Sequence, residues 1–234
     1  MPASTSKSVY LRGIRDSAPF AFVIVPFALL FGVVATEAGL TLAQMMGFNV
    51  LVIAGASQFA AVALMDEGAP LWIVVTTALV VNLRMAMYSA SLVPHLGRAP
   101  FRLRAFVAYL NFDQTYAAAA AEYERLPDMS LAEKLAYFFG VATPIVPLWY
   151  LMALVGALLG TTVPMGSGLD FALPITFIGI AAPMLRTPAH VAAAGASVVV
   201  ALLLAGLPSG LGLLVAAGCA MVVGVAVETW SEKQ

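Results

Sequence analysis

Arg84 and Asp113 carry opposite charges inside long apolar stretches of the sequence, where they can form an ion pair, bind a zwitterion or carry a proton. A charge at the centre of a membrane-spanning helix costs about 2.5–3.5 kcal/mol and needs a partner or a water-filled cavity. Both residues lie at similar distances from the turn near Arg98, so an antiparallel helix pair places them at one depth. We therefore predict an Arg84–Asp113 contact, which acts as a staple between helices or as part of a transport path.

A polar stripe accompanies Arg84 along the predicted helix VVNLRMAMYSASLVPHL (80–96). Four side chains recur at intervals of three or four residues, which places them on one helix face: Arg84, Tyr88, Ser91 and His95. Asn82 points away from that face, so either a second helix receives it or the helix is distorted there. We interpret His95 as an interfacial residue near the helix end. In the next segment the same spacing groups three further residues: Tyr109, Asp113 and Tyr116.

The stretch GASQF (55–59) places small and polar residues inside another apolar run. Gly55 and Ser57 allow close approach of another backbone, and Gln58 offers both a donor and an acceptor. If the helix unwinds here, free amides at the N-terminus of a half-helix suit a carboxylate, as in secondary transporters. The alternative is a tight packing contact between two helices, which uses the same small residues.

Other chemistries lack the residues or the spacing that they need. Ser57 and Ser197 each follow Gly-Ala, but neither GASQF nor GASVV has the closing glycine of a nucleophile elbow. The two histidines, His95 and His190, are far apart, and Cys219 is the single cysteine, so no metal-ligand cluster is predicted. The sequence also has no P-loop. We expect no enzyme activity, no metal site and no cofactor.

The composition indicates what kind of fold positions these residues. Of the 234 residues, 62% are hydrophobic and only 10% are charged, and the mean hydropathy is +0.97. Soluble proteins have about 45–50% apolar and about 25% charged residues. The sequence therefore predicts an all-α, polytopic integral membrane protein, with a single transmembrane domain over residues 1–234. A net charge of −1 argues against nucleic-acid binding.

The N-terminal segment looks at first like a signal peptide, because basic residues up to Arg15 precede the apolar run 18–35. Secretory apolar regions are about 7–15 residues long, and this run is longer and is followed by more apolar segments. We interpret it as the first membrane span, with its basic end in the cytoplasm.

Candidate spans follow from the need for about 20 apolar residues to cross a bilayer. About seven or eight membrane segments are predicted, none with the period-2 alternation of strands: 18–36, 42–65, 71–93, 103–121, 135–160, 170–186, 189–206 and 210–228. The polar connection 122–134 divides the chain into a first half, 18–121, and a second half, 135–228.

The basic residues predict an orientation. If every segment crossed, the basic connection that holds Arg98 and Arg104 would lie opposite the basic N-terminus, against the positive-inside rule. A broken or re-entrant helix at 42–65 removes this conflict. The segments that begin near 18 and near 135 then run in opposite directions, as in an inverted repeat, with connection 122–134 outside. The GAS tripeptides at 55–57 and 195–197 are a faint echo of such a repeat.

Three motifs in order resemble a known family: GASQFA (55–60), NLRMAMYSASLVPHL (82–96) and DQTYA (113–117). Together with the similar opening at 19–40, they resemble the AzlC-type large subunit of bacterial branched-chain amino acid exporters. The resemblance covers most of residues 19–120. It implies a permease of the bacterial cytoplasmic membrane that exports leucine, isoleucine and valine, and in some members methionine. It also implies a small, separate hydrophobic partner subunit of the AzlD type.

Two positions depart from the family pattern. Members usually carry histidine where this chain has Met85, and Asp-Glu where it has Asp113-Gln114. A coupling scheme that needs two adjacent carboxylates at this place therefore lacks one of them.

The predicted transport path combines the polar residues of all three motifs: Gly55, Ser57, Gln58, Asn82, Arg84, Tyr88 and Asp113. In this hypothesis the substrate carboxylate meets Arg84 or the GASQF backbone, and its ammonium meets Asp113, which also binds the coupling proton. An apolar wall holds the side chain of the substrate: Phe59, Met85 and Met87. The alternative is an assembly or scaffold subunit whose buried polar residues bind a partner. A channel is the third option, although no ring of like charges supports it.

Overall fold

The computed structural model describes residues 6–160, 185, 187–204, 206 and 211–231. All regular secondary structure in these residues is helical, which confirms the predicted all-α class. The α-helices are α1 (Ser6–Ser17), α2 (Ala21–Glu37), α3 (Leu42–Leu51), α4 (Gly55–Asp66), α5 (Leu71–Leu96), α6 (Phe101–Tyr109), α7 (Asp113–Arg125), α8 (Leu131–Gly160), α9 (Pro188–Leu203) and α10 (Leu211–Ser231). Apart from Leu185, the predicted segment 170–186 lies outside the described residues.

Three described helical segments are long and apolar enough to cross a membrane, so the chain is a multi-pass membrane protein. The first runs over Ser6–Glu37, because α1 continues through the 3-10 turn Ala18–Phe20 into α2. It therefore begins before the predicted residue 18. The other two are α5, with 26 residues, and α8, with 30 residues. Both of these extend their predicted spans by a few residues at one end.

The chain forms two compact units. One contains residues 1–59 and 78–163, and the other contains residues 60–77 and 164–234. All the predicted transport-path residues belong to the first unit. In the second unit α9 packs on α10, where Gly224 lies against Ala193. The second GAS tripeptide, 195–197, is inside the unbroken helix α9, so it is not the counterpart of the first.

Glycines let the first span and α8 pack backbone to backbone. A Cβ on Gly32 would lie 2.0 Å from the carbonyl oxygen of Ala153, and one on Gly156 would lie 1.9 Å from that of Leu29. Gly160 follows one turn later against Val33, so GALLG is the packing motif that its sequence predicts. Residue numbers increase together along both helices. The two helices are therefore parallel.

This parallel packing corrects the predicted orientation. The segments that begin near 18 and near 135 run in the same direction, and connection 122–134 lies at the N-terminal end of the first span. Arg12 contacts Glu122 at 2.7 Å, and the Tyr137 hydroxyl donates to Asp16 at 3.2 Å. The acidic composition of the connection was misleading because its buried carboxylate has arginine partners on this same side.

The segment 42–65 is broken, as predicted, by the non-helical residues 52–54 between α3 and α4. Phe48, before the break, and Phe59, after it, both contact the ring of Phe31, with centroids 6.3 and 5.5 Å away. The chain therefore turns back on itself at this break. GASQF forms the first turn of α4, which makes it the N-terminus of a half-helix.

The segment 103–121 is also broken, although it was predicted as one continuous span. Non-helical residues 110–112 separate α6 from α7. Tyr109 reaches Tyr150 in the middle of α8, at 3.3 Å, whereas the Tyr123 hydroxyl donates to the carbonyl of Lys134 near the start of α8. The chain therefore enters with α6 and returns with α7 to the same end of α8. This pair of helices is re-entrant.

The last turns of α5 lie at that same end, because His95 is 3.3 Å from the Lys134 amine. The basic connection after α5 is therefore on the side of the basic N-terminus, as the charge distribution predicted. Because α6 and α7 form a re-entrant pair, the basic connection before α6 and connection 122–134 after α7 lie on the same side.

The order of elements repeats within the first 125 residues. Helices α3 and α4 begin at 42 and 55, and their counterparts α6 and α7 begin 59 and 58 residues later, at 101 and 113. The local hydrogen bonds repeat too. Ser57 donates to the carbonyl of Ala54, and Thr115 to that of Phe112, both at 2.9 Å. Since α5 runs toward the end of α8 at which α1 begins, the second set follows a helix of opposite direction. The inverted repeat lies here rather than between the two predicted halves.

Candidate functional site

The predicted contact between Arg84 and Asp113 is present. The Arg84 Nη1 lies 2.7 Å from Asp113 Oδ2, and the Tyr88 hydroxyl donates to Asp113 Oδ1 at 3.0 Å. One carboxylate thus receives a guanidinium and a phenol from two successive turns of α5. The side chains of Arg84 and Asp113 are 28% and 40% exposed, so the described residues do not enclose the pair.

Asp113 is held by the break as well as by α5. It is the first residue of α7, where unpaired backbone amides and the helix dipole favour a negative charge. The charge therefore has three sources of stabilisation: the N-terminus of α7, Arg84 and the Tyr88 hydroxyl. Without the break at 110–112, Asp113 would lie inside a continuous helix, where the backbone amides already have intrahelical partners.

The polar stripe of α5 faces α7 along its whole length, as its spacing predicted. The rings of Tyr88 and Tyr116 stack at 4.2 Å, and the Tyr116 hydroxyl donates to Ser91 at 3.1 Å. One turn further, His95 contacts the ring of Tyr123 at 5.2 Å. The two helices are therefore parallel here.

One expectation about these helices is corrected, and one of the two alternatives for Asn82 is excluded. Tyr109 does not share a helix with Asp113, because the break at 110–112 separates them; its hydroxyl donates to the carbonyl of Val50. The helix α5 is continuous through Asn82, so no distortion redirects this side chain.

A second polar cluster surrounds GASQF. Asn49, which is fully buried, accepts hydrogen bonds on Oδ1 from the Gln58 amide and from the Trp149 indole, both at 2.9 Å. This cluster joins α3, α4 and α8 across the break at 52–54. It confirms that Gln58 is a buried donor.

The first turn of α4 is closely packed by aromatic rings. A Cβ on Gly55 would lie 2.5 Å from the ring of Phe27 and 2.8 Å from that of Trp149. Phe59 is 2% exposed and contacts Phe27 with ring centroids 4.9 Å apart. GASQF is therefore both a half-helix N-terminus and a tight packing contact, and these rings fill the space in front of Gly55.

Several buried polar atoms have no hydrogen-bond partner among the described residues, and three of them belong to predicted path residues: Gln58 Oε1, Asn82 Oδ1 and Arg84 Nε. A fourth, Asn111 Oδ1, lies in the break before α7. A buried polar atom without a partner costs about 1–3 kcal/mol, which a bound solute or water can offset. Of the proposed apolar wall, Phe59 is 2% exposed and Met87 is 71% exposed.

A separate ionic cluster closes the end of the unit near the N-terminus. Glu122 is 4% exposed and contacts Arg12 at 2.7 Å and Arg125 at 2.6 Å. The hydrogen bond and the negative charge of Glu122 raise the pKa of the Arg125 guanidinium. The cluster ties α1 to the C-terminal end of α7.

Sequence reasoning missed four buried residues of these clusters: Asn49, Asn111, Glu122 and Trp149. Asn49 and Asn111 did carry a signal, because each is a lone amide in an apolar stretch next to a break. No group of three or more potential metal ligands occurs among the described residues.

The relatives of this chain are membrane proteins. The inner membrane protein YgaZ of Escherichia coli (strain K12) is 28% identical over 177 residues, which cover 73% of this chain and 71% of YgaZ. An uncharacterized membrane protein of Archaeoglobus fulgidus is 30% identical over 207 residues, or 85% of this chain and 86% of that protein. One of Helicobacter pylori (strain ATCC 700392 / 26695) is 26% identical over 174 residues, or 72% and 74% of the two chains. No solved structure matches.

A family profile described as AzlC protein matches residues 19–163, more than half of the chain. The matched region contains both broken helices and every residue of the predicted transport path. This chain therefore belongs to the AzlC family, a family of membrane proteins related to transport.

Proposed function

We propose that this chain is the large subunit of a secondary transporter that exports branched-chain amino acids: leucine, isoleucine, valine and, as a further substrate, methionine. It works in the bacterial cytoplasmic membrane with its N-terminus in the cytoplasm and with a small AzlD-type partner subunit. Family membership supports a transport role, and the chemistry of the Arg84–Asp113 pair supports the substrate class.

The observation that carries the proposal is the Arg84–Asp113 pair with its unsatisfied Arg84 Nε. An amino acid is a zwitterion, and an exposed pair of opposite charges complements both of its ends. The substrate carboxylate would take the free donors of Arg84, since a guanidinium can bind a carboxylate through two parallel hydrogen bonds. The substrate ammonium would share Asp113 with Tyr88.

The carboxylate is assigned to Arg84 rather than to the α4 N-terminus because Phe27 and Trp149 occupy the space at Gly55. In this proposal the GASQF turn has a structural role: the Gln58–Asn49 hydrogen bond holds α4 against α3.

Asp113 is also the proposed proton site. When it is protonated it no longer attracts Arg84 or an ammonium, which biases the unit between two conformations. One charge moved across 100 mV supplies about 2.3 kcal/mol, enough for about fiftyfold accumulation. Gln114 follows Asp113 in this chain, so the scheme uses a single carboxylate.

The test is efflux of preloaded radiolabelled leucine from cells that express this chain with its small partner. Wild type should export, and Arg84→Gln should insert and assemble but lose export. Arg98→Gln is the matched control, because Arg98 is an exposed arginine outside the cluster. If the wild-type chain and its partner export none of leucine, isoleucine, valine and methionine, the proposal is overturned. If Arg84→Gln exports normally, the Arg84–Asp113 ion pair only holds the two helices together.

A further inference from the structure

A groove of about 200 Å³ lies between the end of α5 and α6. Its walls are mainly apolar, from Leu92, Leu96 and Val107 among others, and three polar residues face it: Ser89, Arg104 and Asn111. It uses a different face of α5 from the Arg84–Tyr88 stripe, which faces α7. All of these residues belong to the first compact unit.

Asn111 gives the groove an unsatisfied polar floor. Its side chain is fully buried, and its Nδ2 donates to the Ser89 hydroxyl at 3.2 Å. Its Oδ1 is buried without a hydrogen-bond partner among the described residues. Buried acceptors are nearly always paired in folded proteins, so this oxygen can take a donor from a bound molecule or from water.

Arg104, at the exposed edge of the groove, is a cation that can bind an anion. It forms no ion pair within the described part of the chain, and the sequence has no Asp or Glu between Glu67 and Asp113. An anion is therefore favoured at this edge, above apolar walls.

We propose that the α5–α6 groove is a second binding station for the transported apolar amino acid, on the side of the membrane where the N-terminus lies. Arg104 binds the carboxylate, Asn111 Oδ1 accepts a hydrogen bond from the ammonium, and Leu92, Leu96 and Val107 contact the side chain. The station rests on the proposed function and deepens it. Asn111 lies in the break at 110–112, two residues before Asp113. The floor of the groove therefore adjoins the Arg84–Asp113 ion pair along the chain.

An anionic phospholipid would also satisfy Arg104 and the apolar walls. An acyl chain offers no donor to Asn111 Oδ1, however, and would leave this buried oxygen unpaired. The unpaired oxygen therefore favours the amino acid, and the lipid is a distinguishable outcome of the test.

The experiment measures KM and kcat for leucine with the full chain and its partner in liposomes. Arg104→Gln should raise KM about tenfold or more at nearly unchanged kcat, as expected for loss of a charge-assisted hydrogen bond. Arg102→Gln, the matched control on the same helix, should stay within about twofold of wild type. Ala108→Phe, which fills the groove, should raise KM for leucine more than for alanine, whereas Ala105→Phe outside it should not.

Equal KM values for Arg104→Gln and Arg102→Gln, in liposomes where wild type moves leucine, would overturn the groove and leave the proposed function standing. A wild-type pair that neither binds nor moves leucine would overturn the function and the groove together. If the groove binds an anionic lipid, Arg104→Gln should slow the transport of every substrate equally. Wild type should then show the same defect in liposomes of pure phosphatidylcholine. That result would overturn the inference as well.

Discussion

A double-mutant cycle on Arg84 and Asp113 measures how strongly the two helices depend on their charge pair. At 2.7 Å, two unit charges attract by about 6 kcal/mol with an effective dielectric constant of about 20. The side chains are 28% and 40% exposed, and exposure lowers this figure to about 2 kcal/mol of measurable coupling. That coupling corresponds to about thirtyfold in the unfolding equilibrium.

The single variants should differ. Asp113→Asn leaves Arg84 without its anion and with its Nε already unpaired, whereas Arg84→Gln leaves Asp113 with the Tyr88 hydroxyl and the α7 N-terminus. We therefore expect Asp113→Asn to destabilise more. The double variant that combines Arg84→Gln with Asp113→Asn should be about 2 kcal/mol more stable than the sum of the single effects predicts.

The assay is unfolding of the purified protein in mixed micelles, followed by tryptophan fluorescence, for all four combinations. Ser91 and Tyr116 provide the control cycle, since they join the same two helices by a neutral hydrogen bond of 3.1 Å. Their coupling should be smaller. A coupling of less than about 0.5 kcal/mol between Arg84 and Asp113 would be within ordinary additivity and would refute the reasoning.

Two further predictions concern the packing and the topology. Gly156→Ala should destabilise the protein by about 2–3 kcal/mol, because its Cβ would lie 1.9 Å from a backbone oxygen. The control is Gly195→Ala in α9, where the Cβ meets open space. It should be neutral or stabilising in the same unfolding assay. In a Cys-free background, Lys7→Cys and Asp128→Cys should react with a membrane-impermeant thiol reagent from one side of the membrane, and Ala38→Cys from the other. Labelling of Lys7→Cys and Asp128→Cys from opposite sides would contradict the parallel packing of the first span and α8.

The Arg84–Asp113 pair could be predicted because a charge in an apolar helix needs a partner and the sequence offers few. The equal depth was predicted for one antiparallel pair of long helices. In the structure α6 ends at Tyr109, and Asn111 in the break that follows lies beside Ser89 of α5. Asp113 comes directly after that point, so the depth was right although α7 runs parallel to α5.

The second break was not predicted because residues 110–112, Leu-Asn-Phe, contain neither glycine nor proline. The available signals were an acidic residue at a helix start, Asp113, and Thr115, which donates to the carbonyls of Leu110 and Phe112. Hydroxyl groups that bond back to the preceding turn favour helix starts. Ser57 and Thr115, 58 residues apart and each third in its helix, are the one chemical correspondence between the two helix starts.

The side on which connection 122–134 lies depends on contacts that charge counting does not include. Glu122 is paired with Arg12 and Arg125, so its negative charge does not direct this connection to the opposite side. The parallel packing that places it there comes from glycines of the first span and α8, whose partners are more than 100 residues apart in the chain.

The most direct test of the account is leucine accumulation driven by an imposed pH gradient in liposomes that contain the chain and its small partner. Wild type should accumulate leucine, and Asp113→Asn, although folded and assembled, should lose the gradient-driven component. Asp128→Asn, in the polar connection, is the matched control and should behave like wild type. Gradient-driven accumulation by Asp113→Asn with an unchanged pH dependence would contradict the account.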